Sequence, residues 1–365
     1  MKITAAVITE KSGPFIFCDI EIDEPRDDEV LVQMVATGVC QTDAHIREQA
    51  YKTPLPIVLG HEGAGIVARV GKNVINVVQG DHVVMSYPSC GHCDKCLSGH
   101  SPYCANGFEL SFGGHRLDGS NAMHDGIHGH FFGQSSFATF AITNERNLVK
   151  VCKDLPLELL GPLGCGIQTG AGAVLNALKV PAGSSIAVFG TGSVGLAAIM
   201  AAKLAGATKI IAVDINSERL SLAMELGATH SINGKEEDVQ KSIVTLIPGG
   251  VDYVVEVTAQ AKMLSLALKV LNMQGQVALV GGAPAGTEAS LDLNSLLNGR
   301  GVKGVIQGDS IPQIFIPKLI EFYKKGQFPF DRLIKLYPFE EIEAAFADSH
   351  SGKVIKPILV FNKSL

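Results

Sequence analysis

The sequence predicts an α/β protein in two parts, a β-rich part and a doubly wound parallel sheet. Three observations predict it. Short β-like runs broken by Gly, Pro and Asp fill residues 1 to about 150. From Ser185 onward, β-branched runs alternate with helix-like segments, and a glycine-rich turn joins the first such run to the first such helix. The chain has 365 residues, enough for two domains, because single cores stop growing at about 250–300 residues.

Taken in order, Glu29–Ala36, Gly65–Val70 and Asp81–Met85 read as strands of a barrel or strongly bent sheet, since turn formers interrupt them every few positions. Ser185–Phe189, Lys209–Val213, Ala228–Ile232, Asp252–Val257 and Gln276–Val280 are apolar without alternation, as strands covered on both faces are. Between them, Ser193–Ala205, Ser217–Leu226 and Ala261–Leu271 read as helices. Beyond Gly308 come a helical segment, Pro317–Lys325, and a last run, Ile355–Phe361. No internal repeat or low-complexity linker divides the chain.

Composition narrows the class. With 46% hydrophobic and 18% charged residues the chain is globular rather than disordered. Its net charge of −6 is spread without like-charge blocks, which argues against nucleic acid or an anionic membrane as the main partner. The most apolar helical stretch, Val194–Ala205, contains Lys203 and falls short of the ~18–20 residues a membrane span requires. No export signal is seen at Met1–Ile8, so a soluble, cytoplasmic protein is expected. In that compartment the eight cysteines read as metal ligands, catalytic groups or buried apolar residues before disulfides.

Gly190-Thr191-Gly192-Ser193-Val194-Gly195 follows directly on a strand and opens a helix. The glycines give a tight turn, room for a pyrophosphate and close helix–strand packing, and the helix N-terminus offers N–H groups to the phosphates. Asp214 ends the next strand, where a carboxylate accepts hydrogen bonds from an adenosine ribose. Its charge repels a 2′-phosphate, so NAD is expected over NADP. Arg219 either softens that preference, by pairing with Asp214 or reaching a phosphate, or is a solvated helix-face charge.

Cys90, Cys93, Cys96 and Cys104 form C-x2-C-x2-C-x7-C. Four thiolates this close surround one tetrahedral zinc ion in a closed, structural site, or else hold an iron–sulfur cluster. A second set is dispersed: Cys40, His61 in Gly60-His-Glu62, and Cys165 between Gly164 and Gly166. Two cysteines and a histidine leave a fourth zinc position open, although a lone buried Cys or His is more often core than ligand.

Together with Cys40-Gln-Thr42-Asp43-Ala-His45, Phe132-Gly-Gln-Ser-Ser-Phe137, Leu160–Thr169 and Gly326-Gln-Phe-Pro-Phe330, these motifs resemble the zinc-dependent medium-chain alcohol dehydrogenases over essentially the whole chain. The closest similarity is to the aryl (benzyl) alcohol dehydrogenase branch. The resemblance implies a GroES-like catalytic domain over 1–167, with a structural zinc lobe at about 88–106, a Rossmann NAD-binding domain over 168–308, and a returning catalytic segment over 309–365. It implies two Zn²⁺ per subunit, NAD as cofactor, a catalytic site in the cleft between the domains, and a homo-oligomer joined through the strand around Val302–Ile306, with a tetramer favoured and a dimer the alternative.

The implied reaction is reversible oxidation of a primary aromatic or allylic alcohol to the aldehyde by hydride transfer to NAD. Zinc on Cys40, His61 and Cys165 is the Lewis acid. Thr42 and His45 match a proton relay running through the cofactor ribose, Asp43 a carboxylate behind the ligand histidine, and Glu62 a transient or replacement ligand. Lys356 matches a position where relatives place Arg at the pyrophosphate, whereas Gln41 stands where many carry a basic residue. The substrate pocket maps to Tyr51, Ser86, Phe131, Phe132, Gly282 and Ile306; His115, His124, His128 and His130 read as loop surface. The alternatives are the same chemistry on aliphatic or terpenoid alcohols and a non-catalytic nucleotide-binding scaffold.

Overall fold

Residues 1–362 are described by a computed structural model, and they divide into two units. The first comprises Met1–Cys165, Ile311–Pro317 and the chain from Asp331 onward; the second comprises Gly166–Ser310 and Lys318–Phe330. The stretch 318–330 thus belongs to the second unit, although its sequence position suggested the returning segment.

Among the described residues, the first unit carries a seven-stranded sheet with the path Ile334–Pro338, Lys356–Val360, Glu29–Gly38, Gly63–Val70, His82–Met85, Leu148–Val151; Phe140–Asn144 pairs with Glu29–Gly38 off that path. A three-stranded sheet is formed by Ile16–Glu21, Lys2–Ile8 and Ile57–Val58. Glu29–Gly38 is the hub, buried along nearly its whole length. Register shifts at Leu31/Val32 and Met34/Ala36 bend it, as bulges do, in keeping with the bent sheet expected. Its end is placed by two pairings. Thr37 opposite Gly63 sets it beside His61 and Glu62, and Gly38 opposite Ile358 brings in the strand that begins at Lys356.

The second unit is a six-stranded parallel sheet in the order His230–Asn233, Lys209–Asp214, Ser185–Phe189, Val251–Glu256, Leu271–Leu279, Gly301–Gly304. Ser185–Phe189 is wholly buried, as its unbroken apolar run requires. Ala187, Phe189, Ile211, Val254 and Val277 share one core cluster. The helix Ser193–Leu204 buries Gly195 through Ala202 without a break.

Several helices depart from the sequence pattern, among them Gly107–Phe112 and Ile342–His350, which no run in the sequence indicated. Val239–Leu246, capped by Asp238 through the Lys241 N–H, falls in a stretch to which no element was assigned. Pro312–Lys324 starts five residues before Pro317, because Pro312 sits at its first position and the helix carries Pro317 inside it. Among the described residues no helix is long and apolar enough to cross a membrane.

Candidate metal and dinucleotide sites

The dispersed set converges. One potential ligand atom each from Cys40, His61, Glu62 and Cys165 lie within 4.8 Å of one another. Cys40 precedes the short helix Gln41–Arg47, and Asp43 on that helix ties the set together. Asp43 Oδ2 accepts the Cys40 N–H at 3.0 Å, while Oδ1 accepts the Gly60 N–H at 3.1 Å and lies 2.9 Å from His61 Nδ1. A carboxylate can only accept, so Nδ1 carries a ring proton and Nε2 is the nitrogen turned away from Asp43. Nε2 is buried and has no hydrogen-bond partner. An orphaned imidazole nitrogen beside two thiols fits a zinc ligand set of the open kind. The contact with Cys165 draws the Cys40 thiol well below its ordinary value, and the Lys356 charge pulls in the same direction.

Two glycines make the convergence possible. Gly60 has φ +92°, and a Cβ there would meet Phe137 N at 2.5 Å. A Cβ on Gly164 would fall 1.9 Å from Met85 O, so only glycine lets the chain bring Cys165 this close to the sheet.

Glu62 is tied to Lys356. Its two oxygens each accept from Lys356 Nζ at 2.9 Å, and the third ammonium proton goes to Val39 O at 3.1 Å. Both side chains are buried. Burial alone lowers an ammonium, but Glu62 and Cys40 outweigh it and hold Lys356 above its usual value. Lys356 was expected at the cofactor pyrophosphate. Its strand instead turns it into the core of the first unit, where all three of its donors are spent, while Gln41 is exposed.

The four-cysteine lobe also converges. Its Sγ separations are 3.5 Å for Cys93–Cys96, 3.9 Å for Cys90–Cys96 and 3.9 Å for Cys93–Cys104. Four sulfurs at ~2.3 Å from one zinc ion stand about 3.8 Å apart, so the lobe has the size of a single-ion site. Sulfurs in mutual contact leave no room for a cluster of several irons. The Cys90 N–H points to Cys104 Sγ at 3.3 Å and the Ala105 N–H to Cys93 Sγ at 3.5 Å, donors that favour thiolates.

Rings line one side of His61. Phe132 stacks on its imidazole at 4.6 Å between centroids, and Phe131 meets it edge-on at 5.6 Å. Phe112 then packs on Phe132 at 5.3 Å and stacks with Tyr51 at 5.5 Å. His130, Phe132 and Ser135 all have φ near +50 to +58°, a strained run of the type found around functional sites. Of the pocket residues expected, Tyr51, Phe131 and Phe132 are therefore grouped near His61. Ser86 is buried and donates to Gly164 O at 2.7 Å, bracing the approach to Cys165. Gly282 and Ile306 lie in the second unit. Phe112 and Gln134, which bonds His61 O at 2.9 Å and Gly63 N at 3.1 Å, were not singled out by the sequence; Gln134 lay inside the quoted Phe132–Phe137 motif.

Thr42 Oγ1 is 3.9 Å from Cys40 Sγ, and His45 is one turn further along the same helix. The four loop histidines do not converge. His115 contacts Glu109, His124 contacts Asp23, and His130 is buried, accepting the Ala122 N–H on Nε2. Among the described residues the two sets above are the ones that could hold a metal ion.

In the second unit, Gly190 has φ +94°, and a Cβ on Gly195 would fall 1.8 Å from Gly190 O. Around Gly192 a Cβ would meet nothing within 4 Å, which is the free space a phosphate needs at the N-terminus of Ser193–Leu204. Asp214 accepts from Thr191 N at 2.6 Å and Thr191 Oγ1 at 2.8 Å, and from the N–H groups of Ile215 and Asn216 at 2.7 and 3.0 Å. The carboxylate expected for ribose thus also braces the glycine loop. Arg219 does not pair with it; its Nε is buried without a partner.

Residues 26–153 match the alcohol dehydrogenase GroES-like domain and residues 193–325 the zinc-binding dehydrogenase domain. The chain is 43% identical to geraniol dehydrogenase of Castellaniella defragrans, covering 98% of this chain and 97% of that protein. Its structure is similar to an alcohol dehydrogenase zinc-binding domain protein from Burkholderia ambifaria, with 53% identity, 99% coverage of both chains and a TM-score of 0.97. It is equally similar to benzyl alcohol dehydrogenase from Acinetobacter calcoaceticus, with 48% identity, coverage of 99% and 100%, and a TM-score of 0.98.

Proposed function

The chain belongs to the zinc-dependent medium-chain alcohol dehydrogenases, and on that premise we infer that it oxidises primary aromatic or allylic alcohols reversibly to aldehydes, with NAD as hydride acceptor. The observation that carries the substrate class is the aromatic surface of Phe132, Phe112 and Tyr51 beside His61. Benzyl alcohol and geraniol, substrates named for two relatives, share one feature: an unsaturated carbon next to the carbinol. A planar π-system of that kind packs on flat rings.

Lewis-acid polarisation of the alcohol hydroxyl is what zinc supplies when held by Cys40, His61 and Cys165. Asp43 keeps the His61 tautomer and orientation that such ligation needs. The Thr42 hydroxyl takes the alcohol proton as it passes its own on through the cofactor ribose, and the His45 imidazole hands a proton to solvent. The two residues are three apart on one helix and so share a face. The cofactor reading rests on the Gly190–Gly195 loop, and the Asp214 carboxylate favours NAD over NADP by charge.

Initial rates with benzyl alcohol, geraniol and 1-hexanol, each with NAD and NADP, test this reading. Higher kcat/KM for the two conjugated alcohols with NAD supports it. A preference for hexanol removes the aromatic or allylic class, and a preference for NADP removes the role given to Asp214.

The protein is also read as a homo-oligomer, a tetramer before a dimer. Gly301–Gly304 is the edge strand of the second unit's sheet, and near it Val302, Ile306, Leu293, Leu297 and Met273 are exposed apolar residues. Light scattering that returns a monomer overturns this. Cysteines kept for metal ligation suit a reducing compartment, and the cytoplasm is the compartment proposed.

A further inference from the structure

The strand order of the parallel sheet reverses between Ser185–Phe189 and Val251–Glu256. Ligands of such sheets bind outside the carboxyl ends of the strands at that reversal. Phe189, which leads into Gly190, is paired in register with Glu256. An acidic residue therefore stands at the point where the cofactor crevice opens, and no step described above uses it.

Glu256 is fully buried. Its Oε1 accepts the Thr258 N–H at 2.7 Å and the Thr258 hydroxyl, while Oε2 is buried and has no hydrogen-bond partner. The turn that follows is tightly wedged. Ala259 has φ +58°, the Val257 N–H bonds to Phe189 O at 3.0 Å, and a Cβ on Gly190 would meet Val257 Cγ2 at 2.8 Å. On its other side a Cβ on Gly281 would meet Ala259 N at 2.5 Å. Residues 257–259 are thus held between two glycines, one of them the first of the phosphate-binding loop.

We propose that Glu256 is a positioning residue of the dinucleotide site: by gripping Thr258 through two bonds to one oxygen, it holds the 257–259 turn against Gly190 and keeps the crevice in the shape the cofactor needs. Oε1 takes both Thr258 donors, and Oε2 faces no donor. Burial raises its pKa, and the groups acting against that rise are the Thr258 hydroxyl and the N–H groups of Thr258 and Ala259; no charged side chain contributes. The inference rests on assigning this crevice to the nicotinamide cofactor.

The test is the NADH dissociation constant of the holoenzyme, read from nicotinamide fluorescence, beside thermal unfolding, for Glu256→Gln and Glu256→Ala. Glutamine keeps an acceptor at Oε1, so Glu256→Gln should bind within about threefold of wild type. Glu256→Ala should bind about tenfold more weakly, the loss expected when buried donors are left without an acceptor. If Glu256→Ala unfolds, Thr258→Val is the second probe, with an expected weakening of about threefold. NADH affinity unchanged in Glu256→Ala, or in Thr258→Val where alanine does not fold, reduces Glu256 to a stabilising residue and overturns the proposal. Glu256→Gln as weak as alanine overturns the tie through Oε1. A wild-type protein that binds neither NADH nor NADPH removes the cofactor assignment itself, and this inference with it.

Discussion

Asp43 joins two metal-site residues at once: its carboxylate accepts the backbone N–H of Cys40 and the ring N–H of His61, at 3.0 and 2.9 Å, from a fully buried position. Asp43→Asn keeps the size of the side chain but removes the charge that orients His61. Partners behind ligand histidines are worth 10–100-fold in metal affinity, roughly. After dialysis against a weak chelator, the variant should retain about one zinc per subunit where wild type retains two, with the far-ultraviolet circular dichroism unchanged. Full retention of both ions would show that His61 needs no such partner.

Cys96→Ala should remove the other ion. A four-sulfur site reduced to three ligands loses a closed shell that contributes directly to folding. The expected result is one zinc per subunit, a lower unfolding temperature and a tendency to aggregate, with the remaining ion still at Cys40, His61 and Cys165. A stable variant of wild-type melting temperature would sink the structural role of the lobe.

Phe112 touches both Phe132 and Tyr51, so its removal loosens the aromatic surface without touching a ligand. For Phe112→Ala, kcat/KM should fall about tenfold for benzyl alcohol relative to 1-hexanol, in line with the value of one aromatic contact. An equal fall for both alcohols would mean that Phe112 only supports the fold.

His130 is buried, and burial first, then the charges of Arg116 and Arg26, push its pKa down to about 3. The sign follows from the unfolded chain, where a histidine titrates near 6.5. Above that pH both states are neutral and the group has no effect. Below it only the unfolded chain binds the proton, so wild type should lose up to about 1.4 kcal/mol per pH unit from this residue. His130→Asn tolerates the left-handed backbone and does not titrate. Urea unfolding at pH 7 and pH 5 should show a shallower loss in the variant; equal slopes would remove His130 as the source.

Much of this was legible because the chemistry is local. The run Ser185–Phe189, the turn Gly190–Gly195 and the helix from Ser193 sit where the spacing indicates, since a parallel strand feeding a glycine turn has few other solutions. The spacing of the lobe cysteines pointed to a metal site but left one zinc ion and an iron–sulfur cluster both open, which only the Sγ separations address. What stayed hidden depends on partners far along the chain. Lys356 reads as a cofactor contact until the pairing of its strand with Glu29–Gly38 turns it onto Glu62. Phe112 lies on a six-residue helix, Gly107–Phe112, whose pattern carries no sign of which rings it will meet. Glu256 ends an apolar strand like any other, and its significance comes from the strand order around it.

The two ligand sets also differ in how much chain each encloses. The lobe closes between positions 90 and 104, whereas the other set spans 40 to 165 and waits for Glu29–Gly38 to pair with Gly63–Val70. Closing a short loop is fast and needs no long-range pairing. During synthesis the lobe can therefore capture its ion while the rest of the first unit is still forming. The dispersed set comes together only after that long-range pairing, so the two sites form in order along the folding path, the lobe first.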